Sequence, residues 1–240
     1  MDNVDLCVCC GSIIPEGSMV CLDCARKYES VSEKDTIAFI EELCGIKLYW
    51  YQRLLLKMLE RSIKNPRELI DWLEASDFFV APASSKYHGS YAGGLVEHSL
   101  NVYKCLKQVV EKYPELNISD ETVAIVALFH DLCKANCYKI GFRNVKDDDT
   151  GQWYKKEVYE IDEKFPMGHG EKSCIIIQWF LKRLSTDELL AIRYHMGGFD
   201  AIVKGGDFGM SKAYEMCPLA PMLHLADMEA TYLLESRTSE

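Results

Sequence analysis

The 240-residue sequence predicts a mostly α-helical protein with a small β-hairpin insertion and a cysteine-rich N-terminal unit. Three observations carry that expectation. Apolar residues recur at helical spacing over most of residues 37–234, and only the stretch from Tyr138 to Glu163 changes to β-prone runs. Five of the 11 cysteines crowd into the first 24 residues. With 48% hydrophobic residues the chain can bury a substantial core. Its formal charge of −10 disfavours a general polyanion-binding surface, which relies on net positive fields, while leaving room for a local basic pocket. The start, MDNVDLCVCC, lacks the apolar core of a signal peptide, and no apolar run approaches the roughly 18–20 residues that span a bilayer. A cytoplasmic protein with reduced thiols, and no membrane partner, is the expectation.

Residues 1–28 form a unit too short to build a core. Within it, Cys7-x2-Cys10 and Cys21-x2-Cys24 are two thiolate pairs ten residues apart, each able to grip one side of a tetrahedral zinc ion. A coreless segment gains its folding free energy from such a metal, so these four cysteines are expected to form a zinc ribbon around one structural zinc. Four thiolates leave no open position, which argues against catalysis there. Cys9 is a spare thiol. What protein or nucleic acid the ribbon engages, the sequence does not say.

Residues 29–77 read as a polar connector, ESVSEKDT, followed by accessory helices in pieces such as TIAFIEELCGI and YQRLLLKMLERSI, with a break at Asn65–Pro66. The main domain is expected over residues 78–240. It opens with a loop rich in small residues (78–94) and a helix, GGLVEHSLNVYKCLKQVVEKY, that ends before Pro114. Ser119 opens the next helix, SDETVAIVALFHDLCK, with Asp120 also available as a cap. KIGFRNVK and QWYKKEVYEI, separated by DDDTG, predict a hairpin within an insertion over 141–166, either a lid over a pocket or a solvated excursion. Helical pattern returns over 170–184 and again over 185–196, where Ser185 to Glu188 fits a capping box. A Gly-rich loop and a last helix, PLAPMLHLADMEATYLL, complete the chain.

All six histidines lie between residues 88 and 224. Taken singly, each suits a satisfied core or capping role. Together, several imidazoles and two carboxylates on apolar helices are costly to bury unless a divalent cation compensates them. Neutral imidazole with carboxylate suits zinc, iron, manganese, cobalt or nickel. On a continuous helix, adjacent His130 and Asp131 differ by about 100° and flank one direction, so they can chelate one ion. Asp227 and His98 can complete that set, and His169 and His195 can supply a second ion with Asp131 bridging. Two ions about 3.5–4 Å apart generate a hydroxide and clamp the oxygens of a phosphoryl centre. Lys134, one turn past His130, suits stabilisation of phosphoryl or leaving-group charge. It equally suits a solvated lysine favoured by the helix dipole.

In order, GGLVEHSLNV, FHDLCK, GHGEKS, RYHMGG and HLADMEA resemble the HD-domain superfamily of metal-dependent phosphohydrolases over roughly residues 80–236. GGLxEH is especially similar to the HD domain of bacterial 3′-to-5′ exoribonucleases. The resemblance implies an all-α HD bundle holding one or two divalent ions (Mn, Fe, Ni, Co, Mg or Zn) and hydrolysing phosphate esters. Carried over, His98, His130, Asp131 and Asp227 match the core ligands, and His169 and His195 match the extra histidines of binuclear members. Two departures stand out. The exoribonucleases carry an OB-type domain where this chain has a cysteine ribbon and helices. The small residue of the HDxGK pattern is Cys133 here, which is expected to perturb packing beside Lys134.

The leading expectation is therefore a phosphohydrolase cleaving a phosphomonoester or phosphodiester of a nucleotide or short oligonucleotide, with Asp131 and Lys134 in catalytic roles. His88, Arg143, Arg193 and Lys204 are candidate substrate contacts, and Tyr87, Tyr91, Tyr138 and Trp153 could stack a base. The alternatives are a nucleotide-sensing regulatory module on the same fold and a ribbon-guided 3′–5′ nuclease. A full ligand set argues against the first, and a ribbon with only Arg26 and Lys27 as basic residues argues against the second.

Overall fold

The computed structural model describes residues 66–147, 150–181 and 183–235. The four ribbon cysteines and the helical pattern over 37–65 lie outside the described residues. Those described belong to one compact unit, Arg61–Glu240. They form eight α-helices and a two-stranded antiparallel hairpin.

Helix α1 (Pro66–Ala75) starts where the sequence marks a break, because proline at the first helical position gives up no intrahelical hydrogen bond. Its Leu69 and Leu73, four residues apart, are fully buried. A loop then runs to α2 (Gly94–Glu111). Gly94 is required at that junction: a Cβ there would fall 2.0 Å from the Gly89 carbonyl oxygen, so only glycine lets the loop fold onto the helix N-terminus. The buried face of α2 carries Leu95, His98, Val102, Cys105 and Leu106, so His98 projects from the same stripe as the core aliphatics.

Helix α3 (Asp120–Phe129) is capped by Ser119, whose side chain accepts from the Thr122 N–H. Every residue from Val123 to Phe129 is buried, so α3 is the central helix of the bundle. It stops one residue before the His130–Asp131 pair, earlier than the apolar pattern implied. His130 is its C-cap, and Asp131 (φ −106°, ψ 21°) leaves the helix and starts a 3-10 turn, Leu132–Lys134. The expected 100° helical separation of the pair does not apply. The chain turns at Asp131 and brings its carboxylate to His130 Nε2 at 3.4 Å.

Strands β1 (Tyr138–Lys146) and β2 (Trp153–Ile161) pair in register from Tyr138↔Ile161 to Lys146↔Trp153. Asp147 Oδ1 accepts from the Thr150 N–H at the turn. Helices α4 (His169–Gln178) and α5 (Thr186–Tyr194) follow, α5 opening with the expected Ser185–Glu188 capping box. They pack so closely that a Cβ on Gly170 would lie 2.2 Å from the Arg193 carbonyl oxygen. Helices α6 (Ala201–Lys204) and α7 (Gly209–Met216) lead into α8 (Leu219–Glu229), which lies against both α2 and α5. A π-helical turn, Ala230–Leu234, extends α8 and returns to α2. No described helix is long and apolar enough to cross a membrane.

Candidate metal centre

Four segments of the bundle converge on one buried cluster. The His98 Nε2 atom lies 3.2 Å from His130 Nε2, 3.3 Å from Asp227 Oδ1 and 3.6 Å from Asp131 Oδ2. His195 Nε2 sits 3.5 Å from Asp131 Oδ1 without forming a hydrogen bond, although it is fully buried. A buried polar atom without a partner carries a desolvation penalty that a ligand would remove.

The outward nitrogens of these rings are all committed. His130 Nδ1–H donates to the Ala127 carbonyl at 2.8 Å, and His195 Nδ1–H donates to the Ile192 carbonyl at 2.7 Å. Each acceptor is the carbonyl three residues earlier, left open because the helix ends there. A carbonyl can only accept, so both rings keep their proton on Nδ1 and turn the Nε2 lone pair inward. His98 Nδ1 donates to both carboxylate oxygens of Glu235 at 3.1 Å, and Asn101 donates to the same carboxylate. Imidazoles held from behind and facing one point, beside Asp131 and Asp227, are the donor set of a divalent cation. Several triads within the cluster have ligand atoms within 4.8 Å of one another: His98–His130–Asp131, His130–His195–Asp227 and Asp131–Cys133–His169.

Charge balance points the same way. Burial opposes charge on His98, yet its hydrogen bonds to Asp227 and Glu235 outweigh burial and raise the imidazole to about 9. Burial also works against the Asp131 carboxylate, but Lys134 and His130 hold it well below the usual range. Asp227 is likewise depressed, chiefly by His98 against the cost of burial. Lys134, buried and ion-paired with Asp131 Oδ2, is raised above its ordinary value because that pairing outweighs burial. Once an ion displaces the His98 proton, the three carboxylates of Asp131, Asp227 and Glu235 and the Lys134 ammonium leave the cluster two charges negative, the charge that one divalent cation cancels.

A cavity of about 1040 Å³ opens over the cluster. Asp131, Lys134, Asp227 and Glu235 line it together with His88 and His224, and His169, Lys86, Tyr87, Tyr91, Phe199, Lys204 and Tyr232 line it with exposed side chains. Of the four candidate substrate contacts, His88 and Lys204 border this space, and His88 Nε2 is a second buried atom without a partner. Burial, the largest influence, lowers the His88 imidazole to about 4. The other two are not brought there. Arg193 is spent on ion pairs with Glu171 at 2.7 Å and Asp200 at 3.1 Å, and Arg143 stands exposed on β1 opposite Lys156. No described hairpin residue lines the cavity, although Tyr138, at the start of β1, lies close enough to Lys134 and Asp131 to interact with their charges. His169, at the start of α4, faces Cys133 Sγ at 3.6 Å.

Glu235 escaped sequence reasoning altogether. It follows the last recognisable motif by five residues, and only the π-helical turn swings it onto His98. Lys86, on a loop, and Phe199, in the 3-10 turn Gly197–Phe199, were also missed, since lone residues there carry no periodic signal.

A helical bundle whose central helices end in an inward-facing histidine–carboxylate cluster defines a metal-binding helical domain. The HD domain family model matches residues 95–231, more than half of the chain, and the chain belongs to that family. HD domains are in general metal-dependent phosphohydrolases. No curated protein and no solved structure matches the chain significantly.

Proposed function

We propose that this protein hydrolyses a phosphate ester of a nucleotide or short oligonucleotide at a centre holding one or two divalent ions. The observation that carries the proposal is the fully buried Nε2 of His195, which makes no hydrogen bond and stands 3.5 Å from Asp131 Oδ1, facing the same cluster as the inward nitrogens of His98 and His130. His98, His130, Asp131 and Asp227 would hold one ion, and His195 and His169 would serve a second across Asp131. When bound, such ions polarise a phosphoryl oxygen and make water a nucleophile at neutral pH.

The remaining roles belong to the chain itself. Glu235 fixes the orientation of His98, and the Ala127 and Ile192 carbonyls do the same for His130 and His195. Lys134 lines the cavity beside Asp131, where its ammonium can neutralise charge developing on a phosphoryl or leaving-group oxygen. Lys86 and Lys204 border the same space and suit the further phosphates of a nucleotide, while Tyr87, Tyr91, Phe199 and Tyr232 offer stacking faces for a base. The likeness of GGLVEH to exoribonuclease HD domains makes short RNA one arm of the substrate screen. The Cys7, Cys10, Cys21 and Cys24 spacing supports a separate structural zinc in the N-terminal unit.

The test is a screen of bis(p-nitrophenyl) phosphate, nucleotides, cyclic dinucleotides and short RNAs with several divalent ions, comparing wild type with Asp131→Ala. Turnover that needs metal and is abolished by the substitution supports the proposal. Metal-dependent nucleotide binding without any turnover would favour a sensing module instead.

A further inference from the structure

Cys133 occupies the position that is small in the HDxGK pattern, and its thiol is neither solvent-exposed nor packed only against hydrocarbon. Its backbone N–H donates to Ser173 Oγ at 3.0 Å, which fixes the residue between the 3-10 turn and α4. The side chain points the other way, with Sγ 3.6 Å from His169 Nδ1 and 4.0 Å from Asp131 Oδ1. The Asp131 carboxylate is thereby divided. Its Oδ2 faces His98, His130 and Lys134, and its Oδ1 faces His195 and Cys133.

We propose that Cys133 is a thiolate ligand of the second ion, completing with Asp131 Oδ1, His169 Nδ1 and His195 Nε2 a mixed sulfur, nitrogen and oxygen site. The inference rests on the metal-centre reading above and adds a ligand at the position where the HDxGK pattern carries a small residue. Two features support it independently. A sulfur bonded at about 2.3 Å and a nitrogen at about 2.0–2.1 Å from one tetrahedral ion lie roughly 3.6 Å apart, the spacing observed between Cys133 and His169. The Nε2 of His195, fully buried and without a hydrogen bond, faces the same carboxylate oxygen.

Burial and the Asp131 carboxylate raise the Cys133 thiol in the metal-free protein, so it is the bound ions that favour a thiolate. Two divalent ions bring four positive charges to a cluster two charges negative, and a thiolate reduces the excess to one, which an anionic substrate can cancel. On binding, the thiol proton leaves to solvent as the sulfur–metal bond forms. A soft ligand biases the second position toward zinc, cobalt or ferrous iron over magnesium and manganese.

The test uses the full chain, stripped of metal and reloaded with Co(II), as wild type and as Cys133→Ser. The four N-terminal cysteines contribute equally to both spectra and cancel in the difference. The expected wild-type-minus-variant spectrum contains one thiolate's share of the near-ultraviolet sulfur-to-cobalt charge-transfer band, and the variant binds its second ion at least about tenfold more weakly. Cys133→Ala, checked for native circular dichroism, should behave alike. Superimposable spectra at equal cobalt content would overturn the inference and leave the metal centre standing. If His130→Ala and Asp131→Ala bind as much cobalt as wild type, the metal-centre reading itself falls, and this inference with it.

Discussion

Glu235 offers the sharpest test of how the centre is held. Its carboxylate is almost fully buried and accepts from His98 Nδ1 through both oxygens at 3.1 Å, with Asn101 as a third contact. Replacing it by alanine removes a charged hydrogen-bond partner, worth about 1.5–3 kcal/mol, and frees the His98 ring to rotate or switch tautomer. Because His98 Nε2 is the atom nearest both Asp131 and Asp227, that loss falls directly on metal affinity. Glu235→Ala should weaken divalent-ion binding by about 10–100-fold, the usual cost of removing a carboxylate behind a metal-bound histidine. Glu235→Gln keeps an acceptor of the same shape and loses only the charge, so its cost should be nearer 1 kcal/mol, roughly fivefold. Competition against a chelator, with circular dichroism confirming the fold, measures both. Affinity within twofold of wild type in a folded Glu235→Ala would refute the argument that Glu235 positions His98.

Further outcomes are expected. In the metal-free protein His98 keeps its proton up to about pH 9, so ion binding at Nε2 must displace it. Apparent affinity should then rise about tenfold per pH unit up to that point and level above it, and a profile flat from pH 6.5 to 8.5 would contradict this. The same proton stabilises the metal-free fold fully below the ordinary histidine value of 6.5, and that contribution is lost as pH rises through about 9, which thermal melts can follow. Gly170→Ala should force α4 away from α5, costing about 1–3 kcal/mol of stability and weakening the second ion as His169 shifts, visible in Tm and metal stoichiometry together. Lys134→Met should lower kcat by roughly 10²–10³ with metal affinity unchanged or raised, since the ammonium competes for Asp131; weaker metal binding would show instead that Lys134 mainly shapes the site. Changing Cys7 and Cys10 to serine should remove one zinc per chain and leave the ions of the HD centre in place, as read by mass spectrometry of the metals.

Much of this architecture is readable from local pattern. The spacing of Leu95, His98, Val102 and Leu106 already puts a histidine on a core-facing stripe, and that stripe is buried as expected. The capping box at Ser185, the hydrogen bond from the Thr150 N–H to Asp147 at the end of the hairpin and the break at Pro66 are short-range chemistry, decided by neighbours a few residues apart. Where α3 ends was not readable. The apolar run continues through Leu132 and Cys133, and only the turn at Asp131 shows that the histidine caps the helix while the carboxylate leaves it.

By itself, then, the sequence determined which elements form and which side chains carry donor atoms, because periodicity, caps and residue chemistry are local properties. Tertiary structure decided which of those atoms share a space. It drew Arg193 into ion pairs with Glu171 and Asp200 and turned Cys133 toward His169. It also carried Glu235 across 137 positions of chain to His98. The physical reason is the same in each case: a side chain's partner is set by how helices pack and where turns redirect the backbone, and neither is written in the residues adjacent to it.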